Sequence, residues 1–166
     1  MARSRSLTPA GYAHARRWLM RRDPILAAVI RRIGPCRMAE RQRADHLTAL
    51  LGAIVSQQLS GKAAATIFAR FQALFPSAAV LDASRVLDVS EDRLRAIGLS
   101  RQKASYVRDL CERIVDGRLR LDELDSLEDD AVVERLVAVK GFGRWTAEMF
   151  LMFRLHRPDE IGRAHV

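Results

Sequence analysis

Lysine, cysteine and aromatic residues are scarce in this chain, and long apolar runs are missing. The two cysteines, Cys36 and Cys111, stand far from each other and from any histidine at ligand spacing, so each reads as a buried or idle thiol. His14, His46, His156 and His165 form no metal pattern. No apolar run approaches the ~20 residues that a membrane-spanning helix needs. The opening Met1-Ala2-Arg3-Ser4-Arg5-Ser6 lacks the apolar stretch of a secretory signal. The expectation is a soluble cytoplasmic protein with no membrane partner. No segment sustains the period-2 alternation of a half-buried strand, so no sheet of consequence is expected. Internal repeats and low-complexity linkers are absent as well.

What is present is arginine, 25 residues against three lysines, within a net charge of +8. The charge is uneven. Residues 1 to 43 hold eleven arginines against Asp23 and Glu40, whereas residues 122 to 130 hold six acids. A basic surface favours a polyanion such as nucleic acid and makes binding depend on salt. The preference for arginine over lysine also fits codon bias, so charge alone is weak evidence. With 166 residues and 49% hydrophobic content, the chain is long enough for one domain or two small lobes without staples.

Nearly everything reads helical, because helix caps are legible along the chain. Thr8-Pro9 and Asp23-Pro24 each place a capping side chain before a proline at the first helical position, opening helices that run to about Arg22 and Ile33. Asp45 caps a segment with Leu47, Leu50, Leu51, Ile54 and Val55 at the 3-and-4 spacing of a buried stripe. Ser60 starts the next, with Ala64, Ile67, Phe68 and Phe71 inward. Short turns are expected at 78–81 and 84–88. Ser90 opens a helix that Gly98 ends, Ser100 opens one that ends at Gly117, and Ser126 is expected to cap the next. That last helix leads into Gly141-Phe142-Gly143, where two apolar-periodic segments meet. Two glycines flanking one hydrophobic residue allow a tight reversal, since each can take positive φ. The helix beyond, beginning at Arg144, presents unpaired amides and the positive end of its dipole, which can hold a phosphate whatever the base sequence. An ordinary hairpin closed by glycines is the alternative.

Three segments sharpen the choice: Ala53-Ile54-Val55-Ser56-Gln57-Gln58-Leu59-Ser60-Gly61-Lys62-Ala63-Ala64, Ile97-Gly98-Leu99-Ser100-Arg101-Gln102-Lys103-Ala104-Ser105-Tyr106, and the hairpin with Arg144-Trp145-Thr146-Ala147-Glu148-Met149-Phe150. In this order they resemble the helix-hairpin-helix (HhH-GPD) DNA glycosylases of the DNA-3-methyladenine glycosylase II kind, from about Asp23 to Asp159. The resemblance implies an all-α fold of two helical lobes. It also implies a monomer acting on double-stranded DNA with alkylated bases, associated with the nucleoid if the source is bacterial. Such enzymes flip the damaged base out of the duplex and hydrolyse its N-glycosidic bond. Lys140, Gly141, Phe142, Gly143, Arg144 and Thr146 would then contact the DNA backbone. Gln57, Gln58, Leu59 and Ser60 would form the wedge loop that fills the gap left by the flipped base. Trp145 would wall the pocket for a cationic base. Relatives that also cleave the strand carry a Schiff-base lysine at its position, so a monofunctional enzyme using water is implied. No cofactor is implied beyond a structural Na or K ion at the hairpin when DNA is bound, held by the backbone carbonyls of Val137, Val139 and Phe142.

The chain departs from the family at one place. The carboxylate that stabilises the oxocarbenium-like sugar is expected about six residues beyond Asp159, where His165 stands instead. Asp159 and Glu148 do not match the motif position, so no catalytic residue is assigned. The stretch Glu160 to Val166 reads as the translation of a short sequencing adapter. The expectation is therefore a single glycosylase domain over 1–166, incomplete at its C-terminus, with foreign sequence at 160–166 and missing C-terminal helices. Such a chain should be inactive and should expose the apolar faces of the 24–33 and 45–59 helices. The competing readings are a non-catalytic helix-hairpin-helix DNA-binding module and a glycosylase acting on oxidised or mismatched bases.

Overall fold

The computed structural model describes residues 7–38, 44–75 and 81–157, so Asp159, His165 and the 160–166 stretch lie outside the described residues. Among them there are nine α-helices and no strands: α1 (Pro9–Arg22), α2 (Pro24–Ile33), α3 (His46–Ser56), α4 (Gly61–Gln72), α5 (Ala83–Leu87), α6 (Glu91–Ala96), α7 (Arg101–Val115), α8 (Asp129–Val137) and α9 (Arg144–Phe153). No described helix is long and apolar enough to cross a membrane.

Side-chain oxygens set most helix starts by satisfying an amide that the helix leaves unpaired. Asp23 accepts from the amides of Ile25 and Leu26 at 2.8 and 2.9 Å. Asp45 accepts from Thr48 at 2.8 Å, and Ser100 from Lys103 at 3.2 Å. The start of α8 differs from expectation. Ser126 donates its hydroxyl to the Glu123 carbonyl at 2.8 Å, and the cap position falls to Glu128, which makes no side-chain capping bond. A 3-10 turn at Leu121–Glu123 precedes it, and the Glu123 carbonyl of that turn engages the Ser126 hydroxyl that would otherwise have capped the helix. Helix α3 ends at Ser56, so Gln57 to Ser60 form a loop.

The chain divides into two compact units. One comprises residues 1–43 with 151–166 and contains α1 and α2, which pack on each other. Within it the Tyr12 hydroxyl meets His156 Nδ1 at 3.1 Å, and the Leu7 amide donates to the His156 carbonyl at 2.9 Å. Burial, and secondarily the charge of Arg154, holds the His156 imidazole below its ordinary pKa. Helix α2 buries Ala27 but leaves Ile25, Leu26, Val29 and Ile33 exposed, the two isoleucines at 76% and 74%.

The second unit, residues 44–150, carries the larger core. Leu50, Leu51, Ile54 and Val55 of α3 are almost wholly buried, as are Phe71, Leu94, Leu110 and Leu136. The expected exposure of the 45–59 stripe is therefore wrong. The apolar stripe of α3 faces α4 and α7, which bury it within this unit. Its exposed tip is confined to the loop after Ser56, where Leu59 is 39% accessible.

Candidate nucleic-acid interface

The hairpin joins α8 to α9 through Ala138–Gly143, and its two glycines serve different purposes. Gly141 has φ +83°, and a β-carbon there would drive into the Tyr106 ring, with Cγ at 2.6 Å. Both the backbone angle and the close approach require glycine. Gly143 is not in the positive-φ region, and a β-carbon there would meet nothing within 4 Å. Of the two glycines that could take positive φ, only Gly141 does, so the reversal needs only that one. Gly143 instead precedes α9, its carbonyl accepting from the Ala147 amide at 3.2 Å. Phe142 between them is buried, and its amide donates to the Val139 carbonyl at 3.1 Å. Phe142 therefore offers its surroundings backbone rather than ring.

Around the turn, Lys140, Arg144 and Trp145 are exposed, Trp145 at 60%, and Thr146 is half-buried. Arg144 donates from Nε to Glu148 at 2.8 Å, one turn along α9, and the Glu148 side chain is almost wholly buried. A buried carboxylate needs such a partner, because an unpaired charge away from water is costly. Val137 is the last residue of α8 and is exposed.

The loop Gln57–Ser60 meets this hairpin. The Gln57 side-chain amide donates to the Gly141 carbonyl at 2.9 Å, across 84 residues of sequence. Gln58 takes φ +55°, an uncommon angle for a residue with a β-carbon, and its side chain is exposed. Leu59 and Ser60 are exposed too, with the Ser60 hydroxyl capping α4 through the Ala63 amide at 3.4 Å. The four candidate loop residues thus divide. Gln57 is tied to the hairpin, whereas Gln58 and Leu59 project from it.

Helix α7 supports both elements, and the sequence reading gave its residues no role. Lys103 Nζ donates to the carbonyls of Val55 and Gln57, each at 2.7 Å. These oxygens stand at the C-terminal end of α3, where a cation also complements the dipole. Burial lowers the Lys103 pKa. Asp109 accepts from the Lys140 amide and from Arg113 Nε, both at 2.8 Å, with Lys140 Nζ at 3.9 Å. Burial pushes its carboxyl up. The Lys140 amide, the Arg113 hydrogen bond and charge, and the Lys140 charge together outweigh burial, so its pKa lies below the ordinary value. Lys103 and Tyr106 fall within the Ile97 to Tyr106 segment. However, the Lys103 partners are backbone carbonyls 48 and 46 residues away, which carry no residue signature.

A helical unit of this kind, with a glycine hairpin bonded to a Gln-Gln-Leu loop, defines a helix-hairpin-helix module. The chain belongs to the HhH-GPD superfamily of base excision DNA repair proteins, whose family model matches residues 51–162. DNA-3-methyladenine glycosylase 1 of Schizosaccharomyces pombe is 35% identical over 111 residues, covering 66% of this chain and 49% of that protein. A crystal structure of DNA-3-methyladenine glycosidase from Bacillus halodurans is 42% identical with a TM-score of 0.64, covering 68% of this chain and 52% of that one. The S. pombe 3-methyladenine DNA glycosylase in complex with abasic DNA gives a TM-score of 0.74 at 29% identity, covering 88% of this chain and 72% of that one. The chain spans about half the length of the first two of these relatives.

Proposed function

We propose that this chain grips damaged duplex DNA in the manner of a monofunctional alkyl-base glycosylase. The observation that carries the reading is the Gln57 bond to the Gly141 carbonyl. It unites at one place an element suited to holding phosphate and an element suited to entering the base stack. Gly143 adds support. Neither its φ nor any neighbour within 4 Å requires glycine, so the approach to the start of α9 is open at this residue. The amides at the start of α9 then face a phosphate oxygen, with Lys140 and Arg144 supplying charge and Thr146 a hydroxyl. Binding of this kind is blind to sequence. Gln58 and Leu59 enter the duplex beside the extruded nucleotide and offset the lost stacking.

Trp145 offers an exposed π face to a cationic alkylated purine, an attraction of roughly 0.5–2 kcal/mol. A tryptophan has no amine, so it forms no Schiff base with the sugar, and Lys140 Nζ is drawn toward Asp109 instead. Chemistry at such a site is hydrolysis. Water attacks the sugar carbon and gives up a proton to solvent, while the glycosidic bond breaks and its electron pair leaves with the base, which neutralises the base's positive charge. A carboxylate facing the sugar stabilises the oxocarbenium-like state. Asp109 and Glu148, the buried carboxylates among the described residues, are both engaged, with Lys140 and Arg113 and with Arg144 respectively. Neither of these two is positioned as an unengaged carboxylate, which supports our reading that the 166-residue chain binds without excising.

The Val137 and Val139 carbonyls suit a monovalent cation in their chemistry. They are neutral oxygens at or just beyond the negative end of α8, and the Val139 oxygen keeps a second lone pair beside its bond from Phe142. Together with the Phe142 carbonyl they would hold Na or K, which would reinforce the hairpin's hold on a phosphate.

The test is salt-dependent binding to a duplex containing an abasic-site analogue, paired with a base-release assay on alkylated DNA. Binding that weakens steeply with salt and no release above background are expected. No binding would refute the grip, and clear turnover would refute the assignment of inactivity and point to another carboxylate.

A further inference from the structure

We propose that Lys103 and Asp109 are positioning residues, which fix the wedge loop and the hairpin in register on the single rigid helix α7. The inference rests on the DNA-gripping function proposed above. Lys103, Tyr106 and Asp109 recur every three residues along one side of α7, so the ends of the stripe are about 9 Å apart along the helix axis. Each touches a different part of the machinery. Lys103 holds the carbonyls of Val55 and Gln57, where the loop leaves α3. The Tyr106 ring lies against Gly141. Asp109 accepts the amide of Lys140, the residue before the turn.

These contacts close a circuit. Lys103 fixes the Gln57 backbone, the Gln57 side chain fixes Gly141, and Asp109 returns the hairpin to α7. Charge makes the two ends stronger than neutral hydrogen bonds, and each charged group acts on backbone atoms, whose position the fold then dictates. Gln58 at φ +55° sits one residue beyond the Lys103 contact. A strained loop tip persists only when its surroundings over-determine it, and Lys103 is the cation that does so here. Lysine in this place is consequently part of DNA recognition without touching DNA.

The two residues should fail differently, and that separates positioning from general stability. The full chain is assayed for affinity toward an undamaged duplex and toward the same duplex with a tetrahydrofuran abasic-site analogue. Their ratio reads insertion of the wedge, and the common level reads the hairpin's hold on phosphate. K103M removes both charge-assisted bonds and should lower the ratio at least about tenfold, with K103R restoring most of it. D109N keeps the shape but loses the charge, and should weaken both affinities together with the ratio retained. A K103M ratio equal to that of the wild type overturns the proposal, as does a parallel loss of both affinities in both variants at matched thermal midpoints. Should K103M fail to fold, K103R and D109N decide the same question, since identical behaviour of these two variants refutes distinct roles. Failure of the underlying function looks different: the wild type itself would not bind either duplex.

Discussion

Replacing Gly141 by alanine isolates the physical basis of the hairpin. Two costs arise at the same atom. The left-handed φ of +83° is paid by any residue with a β-carbon, at about 1–2 kcal/mol. The new methyl also sits 2.6 Å from Tyr106 Cγ, far inside the roughly 3.5–4.0 Å contact distance of two carbons. Relieving that overlap means moving the ring or the turn, at about 1–3 kcal/mol. Together the substitution should destabilise the protein by about 2–5 kcal/mol, a large share of the 5–15 kcal/mol that typically separates folded from unfolded domains. Urea unfolding of G141A, Y106A and the double variant resolves the two parts. In the Y106A background the overlap is gone and only the backbone cost should remain, so the cycle should show a coupling of about 1–3 kcal/mol. A G141A midpoint within about 0.5 kcal/mol of the wild type would refute the account. So would a double variant in which the costs simply add, because the ring would then not be what excludes the methyl.

Gly143 gives the opposite pattern: G143A should leave the unfolding midpoint nearly unchanged, since a β-carbon there meets nothing within 4 Å, while G143E should abolish duplex binding, measured by fluorescence anisotropy. Trp145 is 60% exposed, so W145A should move stability by only about 0.5 kcal/mol, yet weaken binding of duplex carrying a cationic alkylated purine relative to a neutral base. Asp109 should shape the acid limb of stability. Its folded pKa lies below its unfolded value, so its contribution is complete above about 3.9 and is lost as pH falls through the folded value; thermal midpoints of D109N should therefore flatten with pH in that range. His156 has its folded pKa lowered by burial, so the unfolded chain binds the extra proton first and stability should decline as pH drops below about 6.5, a decline that H156Q should remove from the melting curves.

The parts of this molecule that were legible in sequence are those that depend on nearby residues. Thr8-Pro9, Asp23-Pro24, Asp45 and Ser100 announce their helices because the cap and the amide it satisfies lie two or three residues apart. The stripe Leu47, Leu50, Leu51, Ile54 and Val55 signals burial by its spacing. Ser126 misled because two hydrogen-bonding options compete locally, and the 3-10 turn before it claims the hydroxyl for the Glu123 carbonyl. The glycine pair was read as one device although only Gly141 is constrained from within. Positive φ and ring contact are properties of the tertiary environment, and the dipeptide pattern cannot apportion them between the two positions.

The least legible feature is how the loop and hairpin come together. Gln57, Lys103 and Asp109 are unremarkable polar residues in sequence, because what they bind are carbonyls and an amide 84, 46 and 31 residues away. Any residue type can supply a backbone atom, so no complementary side chain marks the partner. That same anonymity has a consequence for recognition. Backbone-directed bonds fix where Gln58 and Leu59 stand without consuming their side chains, leaving both exposed, as the proposed wedge requires. Arg144 carries the opposite tension, since it neutralises buried Glu148 at 2.8 Å and is also the first cation of α9. In the proposed grip, a phosphate at the α9 amides would share Arg144 with Glu148. E148Q should thus remove the competing negative charge and tighten duplex binding while leaving the hydrogen bond's geometry nearly intact. Weaker binding by E148Q at an unchanged thermal midpoint would show that Glu148 aims Arg144 at the phosphate instead of competing for it.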